Sequence, residues 1–242
     1  MKQHEAVIRA MEELGGYATL SQLHRKALTI PDTSWKAKSP DANIRRIVQL
    51  RPEFFKIKPG LWALTSRKDE ILKKLVGTTK EQKEEFNHSY YQGLLVQIGN
   101  YKQFETFIPY QDKNKFFLSE KKLSDISTLK RFHEFTYEHI LGRAKTVDVT
   151  WFNERRFPNS FFEIEESTDI YNSLLKFLEF QDFVIEFHIV ADTHKRKEFL
   201  RKISYSTFNP ISKKVKFLSY EKLAEWHSNV SATISTEESL FT

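Results

Sequence analysis

Two short segments restrict this chain more than any other part of it: Thr146-Val-Asp-Val-Thr-Trp-Phe152 and Ser160-Phe-Phe-Glu-Ile-Glu-Glu166. Both have the β-branched and aromatic content of half-buried strands, and both carry carboxylates in the middle. Side chains alternate along a strand, so Asp148 faces away from Val147 and Val149. In the second segment Glu163 and Glu165 share one face, roughly 7 Å apart, while Phe162, Ile164 and Glu166 take the other. Like charges held in that way repel unless something positive lies between them, and a divalent cation is the usual solution. The competing reading is that acids on edge strands serve solubility. Against it, Asp148 interrupts an otherwise apolar strand, and the Glu-x-Glu segment leads into a helix rather than a free edge.

The chain has 242 residues, 40% of them hydrophobic and 14% aromatic, which is enough for one large domain or two ordinary ones. It has no apolar run of about 18 residues, and Met1-Lys-Gln-His-Glu lacks the hydrophobic segment of a signal peptide. The expectation is an intracellular, cytoplasmic protein with no membrane partner. With no cysteine, disulfides, thiolate nucleophiles and cysteine-held metals are excluded. Any metal must be bound by oxygen or imidazole, which favours magnesium, with manganese as a substitute. Charge is unevenly spread. Residues 1 to 75 hold 15 Lys and Arg against 8 Asp and Glu, and the remainder 23 against 24. Net basicity confined to the first third suggests a polyanionic partner.

Residues 3 to 14 place Ala6, Val7, Ala10, Met11 and Leu14 on one helical stripe that Gly15-Gly16 ends. A short extended piece at Tyr17-Ala18 precedes a second helix from Leu20 to Leu28. Ser39-Pro40-Asp41 reads as N-cap, first helical residue and first-turn acid of a third helix to Leu50. Phe54 to Lys58 and Leu61 to Thr65 read as two strands around Pro59-Gly60. Residues 67 to 85, charged and poor in large apolar residues after Val76, read as a linker whose charged end runs into the next helix. A helix from Phe86 is expected to stop at Gly99. Strands are expected at 104–109, 146–152, 160–166 and 183–191, and helices at 169–180, 194–203 and 220–226. The Ser/Thr/Glu-rich end, 228–242, reads as a mobile tail. The domains are therefore expected at 1–75 and 80–227.

Ala-Val-Ile-Arg-Ala-Met, Gly16-Tyr-Ala-Thr-Leu20 and Phe55-Lys-Ile-Lys-Pro-Gly-Leu-Trp-Ala-Leu64 resemble a winged helix-turn-helix domain of the HARE type, over residues 1 to about 66. The resemblance implies that the third helix enters the DNA major groove with Asn43, Arg45 and Arg46, and that Lys56 and Lys58 on the wing touch the backbone. Arg45 and Arg46 could equally be the solvated face of a helix whose Ile44, Ile47 and Val48 build the core, and many winged helices bind protein.

Over residues 85 to 226, the helix His88-Ser-Tyr-Tyr-Gln-Gly-Leu-Leu-Val-Gln-Ile-Gly99, the Val-Asp-Val-Thr-Trp strand and Phe-Glu-Ile-Glu-Glu-Ser-Thr resemble the restriction-endonuclease branch of the PD-(D/E)XK nuclease superfamily. This implies a two-domain α+β chain whose C-terminal part is a mixed central sheet flanked by helices. It also implies that Asp148 and Glu163 ligate magnesium. Glu165 stands where most of that family has lysine, so it would act as general base or second-metal ligand. Gln92 and His88, four apart on one helical face, are possible additional site residues; a surface or core-edge place is the alternative. Asp112 reads as a turn residue. The implied function is a magnesium-dependent type II restriction endonuclease on double-stranded DNA, a homodimer when cleaving. The alternatives are a catalytically inactive DNA-binding regulator with the same fold, or a repair nuclease whose winged helix binds protein.

Overall fold

Paired glycines, capping boxes and alternating apolar residues set the elements, as the computed structural model shows for residues 1–35, 40–118, 121–166 and 169–240, with side chains described to residue 234. The chain is a two-domain α+β protein. One compact unit comprises Met1–Thr78 with Ala224–Thr242, and the other Thr79–Leu223.

In the first unit, α1 (Gln3–Glu13) ends at Gly15 and Gly16, whose φ values of 84° and 95° suit glycine. Strand β1 (Tyr17–Thr19) leads into α2 (Leu20–Leu28), where the Thr19 hydroxyl accepts from Gln22 N and the Gln22 side chain accepts from Thr19 N. Then follow α3 (Pro40–Leu50), β2 (Phe54–Lys58), β3 (Leu61–Leu64) and α4 (Lys68–Leu75). The expected N-cap Ser39 lies outside the described residues. The sheet is antiparallel in the order β1-β3-β2. Met11, Leu23, Ile44 and Val48 meet in its core.

The expected linker at 67–85 is largely helical. Ile71 and Leu75 bury one stripe of α4, and α5 (Lys80–Tyr101) begins at a capping box between Thr79 and Gln82. Gly99 does not end that helix. A Cβ there would come within 2.5 Å of the Thr106 side chain and 2.7 Å of Trp151 Nε1, so glycine lets α5 lie directly on the sheet.

The second unit continues with β4 (Glu105–Phe107), β5 (Phe116–Phe117), β6 (Lys121–Lys122), α6 (Leu123–Ile126) and α7 (Glu138–Ala144). Next come β7 (Val149–Phe152), β8 (Pro158–Glu165), α8 (Ile170–Leu178), β9 (Glu186–Ala191), α9 (Arg196–Ile203) and β10 (Val215–Ser219). The main sheet has the order β10-β9-β8-β7-β4. β10, β9 and β8 run parallel, and β7 and β4 pair antiparallel. The two carboxylate-bearing strands are thus interior, which removes the edge-strand reading. Phe161, Phe177, Phe180 and Phe187 are fully buried in the core that α8 closes, each stabilising the fold by roughly 1.5–3 kcal/mol.

The last helix, α10, runs Tyr220–Leu240. It is helical where a mobile tail was expected, and two of its hydroxyls, those of Ser228 and Ser231, pack instead of facing water. Ser228 and Ser231 are buried, Ser231 bonds Ser21, and Arg25 donates to Ser231 Oγ at 3.0 Å. No helix among the described residues is long and apolar enough to cross a membrane.

Candidate active site

Val149 pairs with Phe162, so one step further along the antiparallel register sets Asp148 opposite Glu163. Asp148 precedes β7 by one residue and is flanked by buried Val147 and Val149. Its Oδ2 accepts from Ile164 N at 2.7 Å, which ties the carboxylate to the C-terminal end of β8. That end borders parallel β9 on one side and antiparallel β7 on the other, the kind of junction where α/β sheets open their crevices.

Glu163 and Glu165 point the same way, as alternation requires, and both are nearly inaccessible. Ser173, on α8, bonds both: Glu163 Oε2 at 3.3 Å, and Glu165 Oε1 in a closer contact. Three residues further along the same helix face, Lys176 Nζ donates to both Glu163 oxygens at 2.7 and 2.8 Å and to Thr146 O at 3.1 Å. Glu166 lines the same cavity, although alternation puts it on the opposite face, because β8 has ended at Glu165.

Burial pushes the Glu163 carboxyl up to about 8, with the charge of Asp148 adding to the shift and Lys176 opposing it. A folded-state pKa above the ordinary 4.5 gives a stability contribution that is full below 4.5 and lost as pH climbs to about 8. Chelator-treated wild type should therefore lose thermal stability relative to Glu163→Gln as pH is raised between those limits. A midpoint difference that stays constant over the range would show that Glu163 titrates normally.

On the other side of Asp148, α5 supplies His88 and Gln92. His88 Nε2 lies 3.5 Å from Asp148 Oδ1 and 3.9 Å from Asp112 Oδ2. Burial disfavours the imidazolium, but the hydrogen bond and charge of Asp148, with Asp112, outweigh it and raise the His88 pKa. Gln92 is fully buried, its Nε2 donating to Asp112 Oδ2 at 2.8 Å and to Asp148 O at 3.0 Å. Asp112 sits in the turn after β4, 2% exposed, and Lys115 Nζ is 2.6 Å from its Oδ1. His88, Asp112 and Asp148 each offer a ligand atom within 4.8 Å of the others, a group able to hold a divalent ion.

A cavity of about 700 Å³ is lined by His88, Lys115, Asp148, Glu163, Glu165 and Lys176, with Glu81, Glu84 and Glu85 of α5 also on its wall. The structure thus brings Asp148, Glu163, Glu165 and His88 together, with Gln92 bonded behind them. Sequence reasoning missed Lys176 and Ser173, and assigned Asp112 only to a turn. The i, i+3 spacing of Ser173 and Lys176 was the available signal.

In the other unit, Asn43 donates to Gln3 Oε1 at 2.6 Å and Arg45 to Ser228 Oγ at 3.5 Å, while Arg46 and Lys56 are exposed and Lys58 is half-buried. No curated protein and no solved structure matches this chain. A family model does match it: that of the type II restriction enzyme NmeDI C-terminal domain, over residues 71–238. The match spans α5, the mixed sheet and α8, and so every residue of the cavity, and covers more than half of the sequence: the chain belongs to the family of the NmeDI C-terminal domain, a domain of type II restriction enzymes.

Proposed function

We propose that this protein is a magnesium-dependent endonuclease of the type II restriction class acting on double-stranded DNA, with a PD-(D/E)XK core and a winged-helix N-terminal unit. The observation that carries this is the convergence of Asp148, Glu163 and Lys176 in one cavity at an interior sheet end, within the span of the family match. The donor chemistry suits a hard ion. Two carboxylates meet there, and one is buried enough that its charge is costly without a cation. The glutamate-lined wall would itself repel a polyanion until a cation is bound.

Asp148 and Glu163 would hold the ion. When bound, it would supply Lewis-acid polarisation of the scissile phosphate and acidification of a water. The Ile164 N–H orients Asp148 for that task. Glu165, held by Ser173, takes the attacking water's proton. Lys176 supplies from α8 the positive charge that β8, with Glu165, does not carry, and stabilises charge developing on the phosphate. One such centre cuts one strand, so cleavage of both calls for a homodimer on DNA. Magnesium-dependent nicking or linearisation of supercoiled plasmid, abolished by EDTA, tests the reading. Specific binding without cutting would instead indicate an inactive regulator.

In the N-terminal unit, α3 would enter the major groove and the β2–β3 hairpin would lie on the backbone. Exposed Arg46 is the favoured base reader over Arg45, which is engaged with Ser228, and Asn43 is turned to Gln3. Removing a cation that neutralises one phosphate lowers the salt slope of binding by about 0.9. Lys56→Ala with Lys58→Ala should accordingly flatten log K against log salt by up to about 2. An unchanged slope would move DNA binding off the hairpin.

A further inference from the structure

We propose that the unit holding the cavity has a DNA-docking surface of its own, the outer face of the β5–β6 hairpin, where Lys121 and Lys122 hold phosphates and Phe116 contacts a base. The inference rests on the proposed function for its ligand, duplex DNA, and assigns part of the binding to residues outside the winged-helix unit.

The hairpin leans on α5 by one face. Phe117 is buried there: its ring stacks on Tyr90 with centroids 6.2 Å apart, and a Cβ on Gly93 would come within 2.1 Å of it. Alternation turns the preceding Phe116 outward, where it is 52% exposed. Phe116 pairs with Lys122, so these two side chains share the outer face. Lys121 is exposed as well. Lys122 Nζ donates to Asn114 Oδ1 at 3.3 Å, a neutral partner that leaves its charge uncompensated. A lone exposed phenylalanine is ordinary on a protein surface. One set between cations has the chemistry of a nucleic-acid contact, ammonium groups for phosphates and an apolar ring for a base.

Charge around the cavity points the same way. Residues 113–122 contain four lysines and one acid. Lys115, next to Phe116 in the chain, lines the cavity, so the hairpin begins at its wall. The α5 part of that wall carries Glu81, Glu84 and Glu85 instead. A duplex approaching the cavity is therefore repelled along α5 and attracted over the hairpin.

The test measures the affinity of full-length protein for a fluorescein-labelled duplex of mixed sequence by anisotropy, over a salt series and in EDTA so that no strand is cut. Lys121→Gln with Lys122→Gln should lower the slope of log K against log salt by up to about 2, at about 0.9 per phosphate contact. The same decrement should appear in a Lys56→Ala, Lys58→Ala background, because the two surfaces belong to different units. Phe116→Ala should weaken binding about tenfold with the slope unchanged, and Phe116→Trp should retain it. Melting midpoints should stay in place throughout, since all three side chains are exposed. Wild-type slope in the lysine pair, or wild-type affinity in Phe116→Ala, would overturn the docking surface and leave the lysines to an acidic protein partner. Plasmid cleavage with magnesium is scored separately. Hairpin-dependent binding by a wild type that cuts nothing would sink the endonuclease reading and leave the docking surface standing. Cutting by wild type, with hairpin variants of unaltered affinity, would do the opposite.

Discussion

Asp148→Asn is expected to abolish plasmid cleavage while leaving specific DNA binding by the N-terminal unit intact. The substitution keeps an oxygen to accept from Ile164 N, so the β7–β8 junction is preserved and the loss is one of charge. Metal-borne stabilisation of a transferring phosphoryl group amounts to several kcal/mol, and each ~1.4 kcal/mol is tenfold in rate. A fall of about a thousand-fold or more should follow, not recovered by raising magnesium. Asp148→Ala should do the same and also strand the Ile164 N–H, costing about 1–3 kcal/mol of stability. Gel-shift affinity and single-turnover cleavage measured on the same preparations decide it: cutting within tenfold of wild type by Asp148→Asn would take this carboxylate out of the centre.

The second large effect belongs to Lys176. If its ammonium supplies the positive charge beside Glu163, Lys176→Met should slow cleavage by about 10² to 10³, the usual cost of losing one preorganised charge-stabilising donor. DNA affinity should change little. Lys176→Arg, which keeps a cation on α8 beside Glu163 and leaves Glu165 in place, should return part of the rate. A merely structural lysine would lower the melting midpoint without this rescue. Rates for Lys176→Met and Lys176→Arg, read beside their melting midpoints, separate these cases, and a Lys176→Met enzyme cutting within threefold of wild type would refute the assignment.

Much of the fold was legible beforehand because its causes are local. The stripe Ala6, Val7, Ala10, Met11 and the Gly15-Gly16 stop predict α1 as observed, and the turn at Pro59-Gly60 divides β2 from β3. Alternation alone put Glu163 and Glu165 on one face. Where composition stood in for periodicity, the reading failed. The charged stretch after Arg67 hides α4, whose buried anchors are Ile71 and Leu75, and a serine- and threonine-rich end is a helix in which Ser228 and Ser231 are buried. Gly99 read as a stop because a backbone breaker and a close-packing site have the same one-letter signature. Only the Thr106 and Trp151 side chains distinguish them.

What the sequence determined by itself is the placing of the acids on two extended segments, with Glu163 and Glu165 on one face, since a period of two is a property of the extended chain. Which other groups meet those acids was decided by tertiary structure. Lys176 lies 13 residues from Glu163 and reaches it because α8 packs back along the strand end; Gln92 is 56 residues from Asp148 and reaches it because α5 lies on the sheet. Asp112 comes from an irregular turn with no periodicity to read. Contacts of this kind depend on how apolar faces dock, and that is settled by the whole core at once, not by any window of residues within it.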